Sequence, residues 1–476
     1  MSTDRAHAER AAPAADEAGL APVRNAARLL GHGLAGLRRV VLDVAAAGLR
    51  AADPAAAAER LVRYDGRILS AGGRRYDLDT FRSVVLLGAG KASLPIAAAL
   101  ERKLGDRIGG GLVVRRRGSA DVVKFADVID ADHPVPSSAS LQAGRMLAEL
   151  ADRLGPRDLV LTAFTGGSSA LACLPPDGVP FEAKQQLHAL LLDSGASIAE
   201  VNTVRKHVSA IKGGRLAARL GGASILNFTV SDVVGDATDL LCDPAVQDTT
   251  RPGQAVAVLH RYGLWQAVAP EVREHLLGGQ CESPSLAGAD ITTVVLVTGA
   301  DVLAQMSGRA RALGWRPAVL GSSIEGEAAS LGGFLGAISA ESSCRGEPFP
   351  AHSVLLAAGG EVTVAIRRSA AAGVGRGGPN QEAALAFARA LGRDQAAVAG
   401  IFLDSDGSDG GTDAAGGCVD ATTAARAGRV PLSLDDAIAR HDSAAALGLL
   451  GDLVMTGPTG TNVSDLWVVA IDAAGP

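Results

Sequence analysis

Short runs of almost wholly apolar residues recur along the chain, each followed by small residues and then by a helical pattern. A strand with no polar alternation must be covered on both faces, which parallel strands joined by crossover helices achieve. On this basis Ser83–Leu87 is read as a strand, Ala92–Leu104 as a helix, Gly111–Val114 as a strand and Ser138–Leu154 as a helix. Asp158–Phe164 follows as a strand, Phe181–Ser194 as a helix, Glu200–Leu220 as a stretch holding another helix, and Ala223–Val230 as a strand. The alternation resumes with strands at Asp290–Val297 and Arg316–Leu320 and helices at Asp301–Leu313 and Glu325–Glu341. A Ser-, Gly- and Pro-containing linker, Glu341–Pro350, precedes a last block. There Ser353–Ala357, Val362–Ile366, Val398–Leu403 and Leu466–Ala470 are read as strands and Gln381–Leu391 as a helix. Residues 1–25 read as a disordered tail, with helical patterns at Ala26–Arg50 and Ala55–Val62. At 476 residues the chain exceeds one ordinary core. The expectation is two α/β domains, a larger one at 26–285 and a smaller one at 286–476, with no clear internal repeat.

Composition narrows the function. Aromatic residues are only 3% against 47% apolar, so Val, Leu, Ile and Ala must fill the core. A net charge of −6 without a long Lys/Arg block argues against nucleic acid or an anionic membrane as the main partner. The five cysteines are scattered with no CxxC pair, which argues against a disulfide framework or a structural zinc site. The first 28 residues lack a signal peptide's apolar core, and no run of about 18 uncharged apolar residues reads as a membrane span. The expected setting is the cytoplasm, and the sequence allows a homodimer. Only six of the 45 basic residues are lysines, and three of those six fall in the motifs below. A compact ammonium meets a phosphate oxygen differently from a guanidinium.

Five segments carry candidate chemistry. Gly88-Ala89-Gly90-Lys91-Ala92-Ser93 lies between a strand and a helix. It fails the P-loop pattern, since Val85 and Ala92 replace required residues, and Ser93 replaces the third glycine of a dinucleotide fingerprint. What remains is either a phosphate-compatible turn bearing Lys91 or a tight turn with an exposed lysine. Thr165-Gly166-Gly167-Ser168-Ser169 follows the strand ending at Phe164, and its backbone N–H groups suit an anion. The rival reading is a serine-hydrolase elbow, weakened because Ala170 replaces its last glycine. Asn202–Arg215 gathers Arg205, Lys206, Lys212 and Arg215 in about three helical turns, either as a solvated face or as an anion site. Asp232 and Asp236 stand past a strand's end, where carboxylates suit Mg2+, proton abstraction or a helix cap. The last group joins Arg376 between glycines, Asn380 as a helix cap, the Asp404–Asp413 loop and Thr456–Asn462. The Asp-rich loop fails as a calcium loop because Ala415 stands where a bidentate Glu is due.

Taken together the chain resembles the glycerate 2-kinase family, whose C-terminal part is the MOFRL domain and whose members have also been labelled hydroxypyruvate reductases. The resemblance rests on GAGKAS, HPVP (His133–Pro136), NTVRKHVSAIKGGRLA, SDVVGD, GGEVTV (Gly359–Val364), GRGGPNQE, TDAAGG (Thr412–Gly417) and GPTGTNVSDLWV, collinear from about residue 30 to 470. It implies a Rossmann-like parallel-sheet domain and a smaller α/β domain containing the MOFRL region at about 350–470, with the active site in the cleft between them. It also implies that Lys91 and Arg376 face the reacting phosphate. The chain departs from the family pattern at Asp132, Thr165, Cys242–Ala245 and Gly411, leaving the main charges intact.

The expected activity is ATP-dependent phosphorylation of a small hydroxy acid, D-glycerate first, with another sugar acid as an alternative acceptor. Lys91, Arg376 and Asp232 are the candidate catalytic residues. Gly88, Gly90, Thr165, Gly166, Gly167, Ser168, Ser169 and Lys212 are expected to hold ATP. Arg205, Lys206, Asp409 and Asn462 are expected to bind the acceptor, and Asp232 and Asp236 to hold Mg2+. A nicotinamide-dependent reductase is the first rival, although the chain lacks a G-x-G-x-x-G with a ribose-binding acid. A non-catalytic sugar-phosphate sensor is the second.

Overall fold

The computed structural model describes residues 18–117, 122–230, 242–279, 281–364, 375–392 and 396–474. Six strands form a wholly parallel sheet in the order Asp127–Ala131, Ile108–Arg116, Ser83–Ala89, Asp158–Phe164, Ser224–Thr229, Ile291–Val295. Every residue of Asp158–Phe164 is buried, as its unbroken apolar character requires. From Ser83–Ala89 the chain builds outward to one edge, then returns beside that strand at Asp158–Phe164 and builds to the other. Strand order therefore reverses between these two central strands, and the loops at their carboxyl ends diverge to leave a crevice.

The second sheet has seven strands and is mixed: Arg316–Gly321 runs parallel to Ser353–Thr363, while Asp465–Asp472, Ala397–Asp404, Gly416–Asp420 and Leu453–Val454 pair antiparallel in succession. Glu325–Glu327 extends Ser353–Thr363 in parallel. Helices Ala328–Arg345 and Pro379–Ala390 pack together against one face, and Ala35–Ala51 and Gly299–Ala312 against the other. A small antiparallel sheet at 63–77 abuts the edge strand of the first sheet, where the Tyr76 hydroxyl donates to Thr292 Oγ1 at 2.9 Å. No helix among the described residues is long and apolar enough to cross a membrane.

Several expectations give way. Ile291–Val295, expected in the C-terminal block, pairs with Ser224–Thr229 and closes the first sheet, so the sheets do not divide at 285. Helix Ala35–Ala51 packs on the second sheet, anchored by Arg38, which is fully buried between Asp420 and Asp452. Residues 18–25 are not a tail: Leu20 and Val23 are buried in the main core, and the Arg24 N–H donates to the Met455 carbonyl. The expected strands at 353–357 and 362–366 are one strand through Thr363, because Glu361–Thr363 finds Glu325–Glu327 as a partner. That pairing delays the following helix to Ala328, and the helix runs through Arg345 into the expected linker.

Candidate active site

The two loops at the strand-order reversal are tied to each other. The Lys91 N–H donates to the Gly166 carbonyl at 2.9 Å, the Thr165 N–H to the Ala89 carbonyl at 3.1 Å, and the Ala92 N–H to Thr165 Oγ1 at 3.1 Å. This contact requires a glycine at 90: its φ is +142°, and a Cβ there would collide with Thr165 Oγ1. Gly88 is similarly crowded, with the Ala163 carbonyl oxygen 2.9 Å from where a Cβ would stand. The turn projects Lys91 into a cleft of roughly 1040 Å3 including its mouth. Thr165, Gly166, Gly167, Ser168 and Ser169 line the same cleft beside it. Gly167 sits so close to His133 that a Cβ would stand 3.1 Å from the imidazole Nε2 and 3.5 Å from Lys91 Cγ.

The facing wall comes from the second sheet: Glu361, Asp404, Asn462, Ser464 and Asp465. Asp404 and Asp465 are register partners on adjacent strands, so their carboxyls stand side by side. Burial pushes Asp465 up to about 8, although it accepts from Asn380 Nδ2 at 2.6 Å and from the Val362 N–H at 2.7 Å. Asp404 is raised too, by burial and by neighbouring Asp406 and Asp465, against the pull of Lys91. Lys91 spans the cleft to form an ion pair with Asp406. His133 is pushed down to about 3 by burial and by Lys91, Arg116 and Arg205, so its ring is neutral. Among the described residues no group of three or more His, Cys, Asp or Glu is arranged to hold a metal ion. Asp232 and Asp236, the expected Mg2+ ligands, lie outside the described residues.

The basic segment is split. It forms two helices, Ile198–His207 and Arg215–Arg219, and Gly213 and Gly214 take φ values of +60° and +79° just before the second. Arg205 lines the cleft. Lys206 does not: it is buried in an ion pair with Asp248 at 2.7 Å. Lys212 is 2% exposed and lies behind the cleft wall, its ammonium 5.3 Å from the centre of the Phe164 ring. Arg215 spends its guanidinium on the carbonyls of Lys206, Lys212 and Cys281.

Among the C-terminal expectations, Asn462 lines the cleft and Asp409 does not. Asp409 is buried and accepts the backbone N–H groups of Asn380 and Gln381 at 3.1 and 2.8 Å, closing the start of helix Pro379–Ala390. Burial raises its carboxyl to about 7. The capping role expected of Asn380 thus belongs to Asp409. Asn380 instead links Asp465 to the Trp467 indole, which donates to its Oδ1 at 2.6 Å. Arg376 is exposed, its backbone N–H held by Asp442 at 3.1 Å, and it is not among the described residues that line the cleft. His133, Glu361, Asp404, Ser464 and Asp465 were not named in advance. Four of them sit inside HPVP, GGEVTV and GPTGTNVSDLWV, and Asp404 opens the Asp-rich loop.

The family pattern described as "Domain of unknown function (DUF4147)" matches residues 40–277, and that of the MOFRL family matches 354–465. A glycerate 2-kinase of Pyrococcus horikoshii is 34% identical over 440 residues, covering 91% of this chain and 97% of its own length. A putative hydroxypyruvate reductase of Agrobacterium vitis is 36% identical over 390 residues, covering 81% and 87%. The crystal structure of a glycerate kinase from Thermotoga maritima superposes with a TM-score of 0.74 at 32% identity, covering 92% of this chain and 99% of that one.

Proposed function

The chain belongs to the glycerate 2-kinase family, and from that premise we propose that it transfers the γ-phosphoryl group of ATP to a small hydroxy acid, D-glycerate giving 2-phosphoglycerate. The observation that carries this reading is the placement of Lys91 at the strand-order reversal, beside the small-residue loop Thr165–Ser169 and across from the carboxyls of the second sheet. Phosphoryl transfer asks a protein mainly for positioning and for positive charge around the moving group. Lys91 is the cation so placed, and it exchanges Asp406 for phosphate oxygens when ATP enters. The loop N–H groups hold the phosphates. A bond forms between the acceptor oxygen and phosphorus, the bond to the bridging oxygen of ADP breaks, and the hydroxyl proton passes to a carboxylate.

Asp232 and Asp236 are proposed as that proton acceptor and as the carboxylates that hold Mg2+. The ion, when bound, neutralises phosphate charge. Arg376, exposed on the second domain, is proposed to reach the phosphoryl group as the cleft closes. Arg205 and Asn462 face the acceptor. ATP as donor fits a cytoplasmic setting.

The reductase name of one relative offers a second reading, which the lack of a dinucleotide fingerprint at Gly88–Ser93 disfavours. Purified protein with ATP, Mg2+ and D-glycerate is expected to release ADP, with phosphorus NMR placing the phosphate on the 2-hydroxyl. Oxidation of NAD(P)H by hydroxypyruvate without ADP release would reverse the assignment.

A further inference from the structure

Behind the wall that carries Arg205 lies a group of basic side chains that lack partners. His188, on helix Phe181–Leu192, is 0% exposed, and neither ring nitrogen has a hydrogen-bond partner. Lys212, 2% exposed, likewise has none for its ammonium, and Arg205 none for its Nε. Lys184, also buried, at least donates to the Val208 carbonyl. The carboxylate that acts on Lys212 is Asp243, which already accepts from Asn227 Nδ2 at 3.2 Å and the Ala245 N–H at 2.7 Å.

Buried polar groups are almost always satisfied, and an unpartnered buried cation costs several kcal/mol or sheds its proton. Lys212 shows that tension: burial lowers it to about 8, and nearby Lys184 adds to the fall. His188 is held well below its ordinary value by burial and by Arg205, Lys184 and Lys212. Fold stability gives no reason to keep such a set. An anion would satisfy it.

We propose that Lys212, His188 and Arg205 form an anion subsite behind the cleft wall, reached at Arg205, which alone of the three lines the cleft, and that its occupant is the carboxylate of the hydroxy acid. The choice of a carboxylate over the nucleotide rests on the assignment of the acceptor as a hydroxy acid, and on geometry. The proposed phosphate-binding elements, Lys91 and the loop Thr165–Ser169, crowd together beside the His133 ring at Gly167. Arg205 reaches the cleft from a different element, helix Ile198–His207. Lys212, taken from sequence as a phosphate ligand, moves to the acceptor.

Thermal unfolding tests this without turnover. D-glycerate is expected to raise the Tm of the unaltered protein, whereas glycerol, which lacks the carboxylate, does not. Lys212→Met should keep or raise the ligand-free Tm, since it removes an unpartnered buried charge. It should weaken D-glycerate binding by on the order of tenfold or more and keep the shift produced by ATP. His188→Leu should behave alike. Lys212→Met that binds D-glycerate normally, that loses ATP or inorganic phosphate binding instead, or that unfolds without ligand would overturn the subsite. If the unaltered protein binds D-glycerate through Lys212 yet releases no ADP, the subsite stands and the kinase reading falls.

Discussion

Lys206 and Lys212 belong to one basic segment and serve different ends. Lys206 is spent on Asp248 in the interior, so Lys206→Ala leaves a buried carboxylate without its ammonium, held by Thr250 and Ser283. The expected cost is about 3–5 kcal/mol of stability, read as a lower Tm; an unchanged Tm with a raised KM would restore it to the substrate. Asp465 makes the opposite kind of contribution. Its folded-state value of about 8 lies above the 3.8 of a free aspartate, so folding favours the protonated carboxyl. That contribution is complete below about pH 4 and is lost as pH rises through about 8. Asp465→Asn keeps the acceptor for Asn380, gives up the one for the Val362 N–H, and cannot ionise. Its ligand-free Tm relative to the unaltered protein should therefore be higher at pH 8 than at pH 5, and an equal difference at both would contradict the account. Residue types were legible in the sequence at these positions. What each side chain faces was not, because Lys206 and Arg205 are neighbours whose roles differ only by a rotation about the helix axis.

At the scale of elements, unbroken apolar runs such as Val84–Leu87 and Leu159–Phe164 declare buried parallel strands, and strands form there. The start of the second helix of the basic segment at Arg215 was also visible as the glycine pair before it, outweighed by the apolar spacing of Val204, Val208 and Ile211. Sheet membership was not visible. Ile291–Val295 has the same composition as strands of either sheet, and only long-range pairing assigns it. The turn at Gly90 is the element on which the site depends, since it locks the loop carrying Lys91 against Thr165. Gly90→Ala should cost about 1–3 kcal/mol and reduce turnover further than stability alone explains. A fully active, equally stable variant would show that the two loops are not coupled.

For the molecule as a whole, the second domain contributes more than a wall. Its carboxyls face Lys91 and the Thr165–Ser169 loop, Asp406 reaches over to Lys91, and helix Ala35–Ala51 from the front of the chain is built into its core through Arg38. The collinear motifs made this two-part site legible in outline, and the loops that meet at the cleft came largely from them. Arg376 stays outside the cleft lining, so its proposed role depends on closure, which a sequence motif cannot describe. Lys91 needs no such movement. The most direct measurement is therefore D-glycerate-dependent ADP release by the unaltered protein and by Lys91→Ala at matched Tm. The account predicts that the variant loses about 10²–10³-fold or more in kcat, with its fold intact. Near-normal turnover by Lys91→Ala would contradict it.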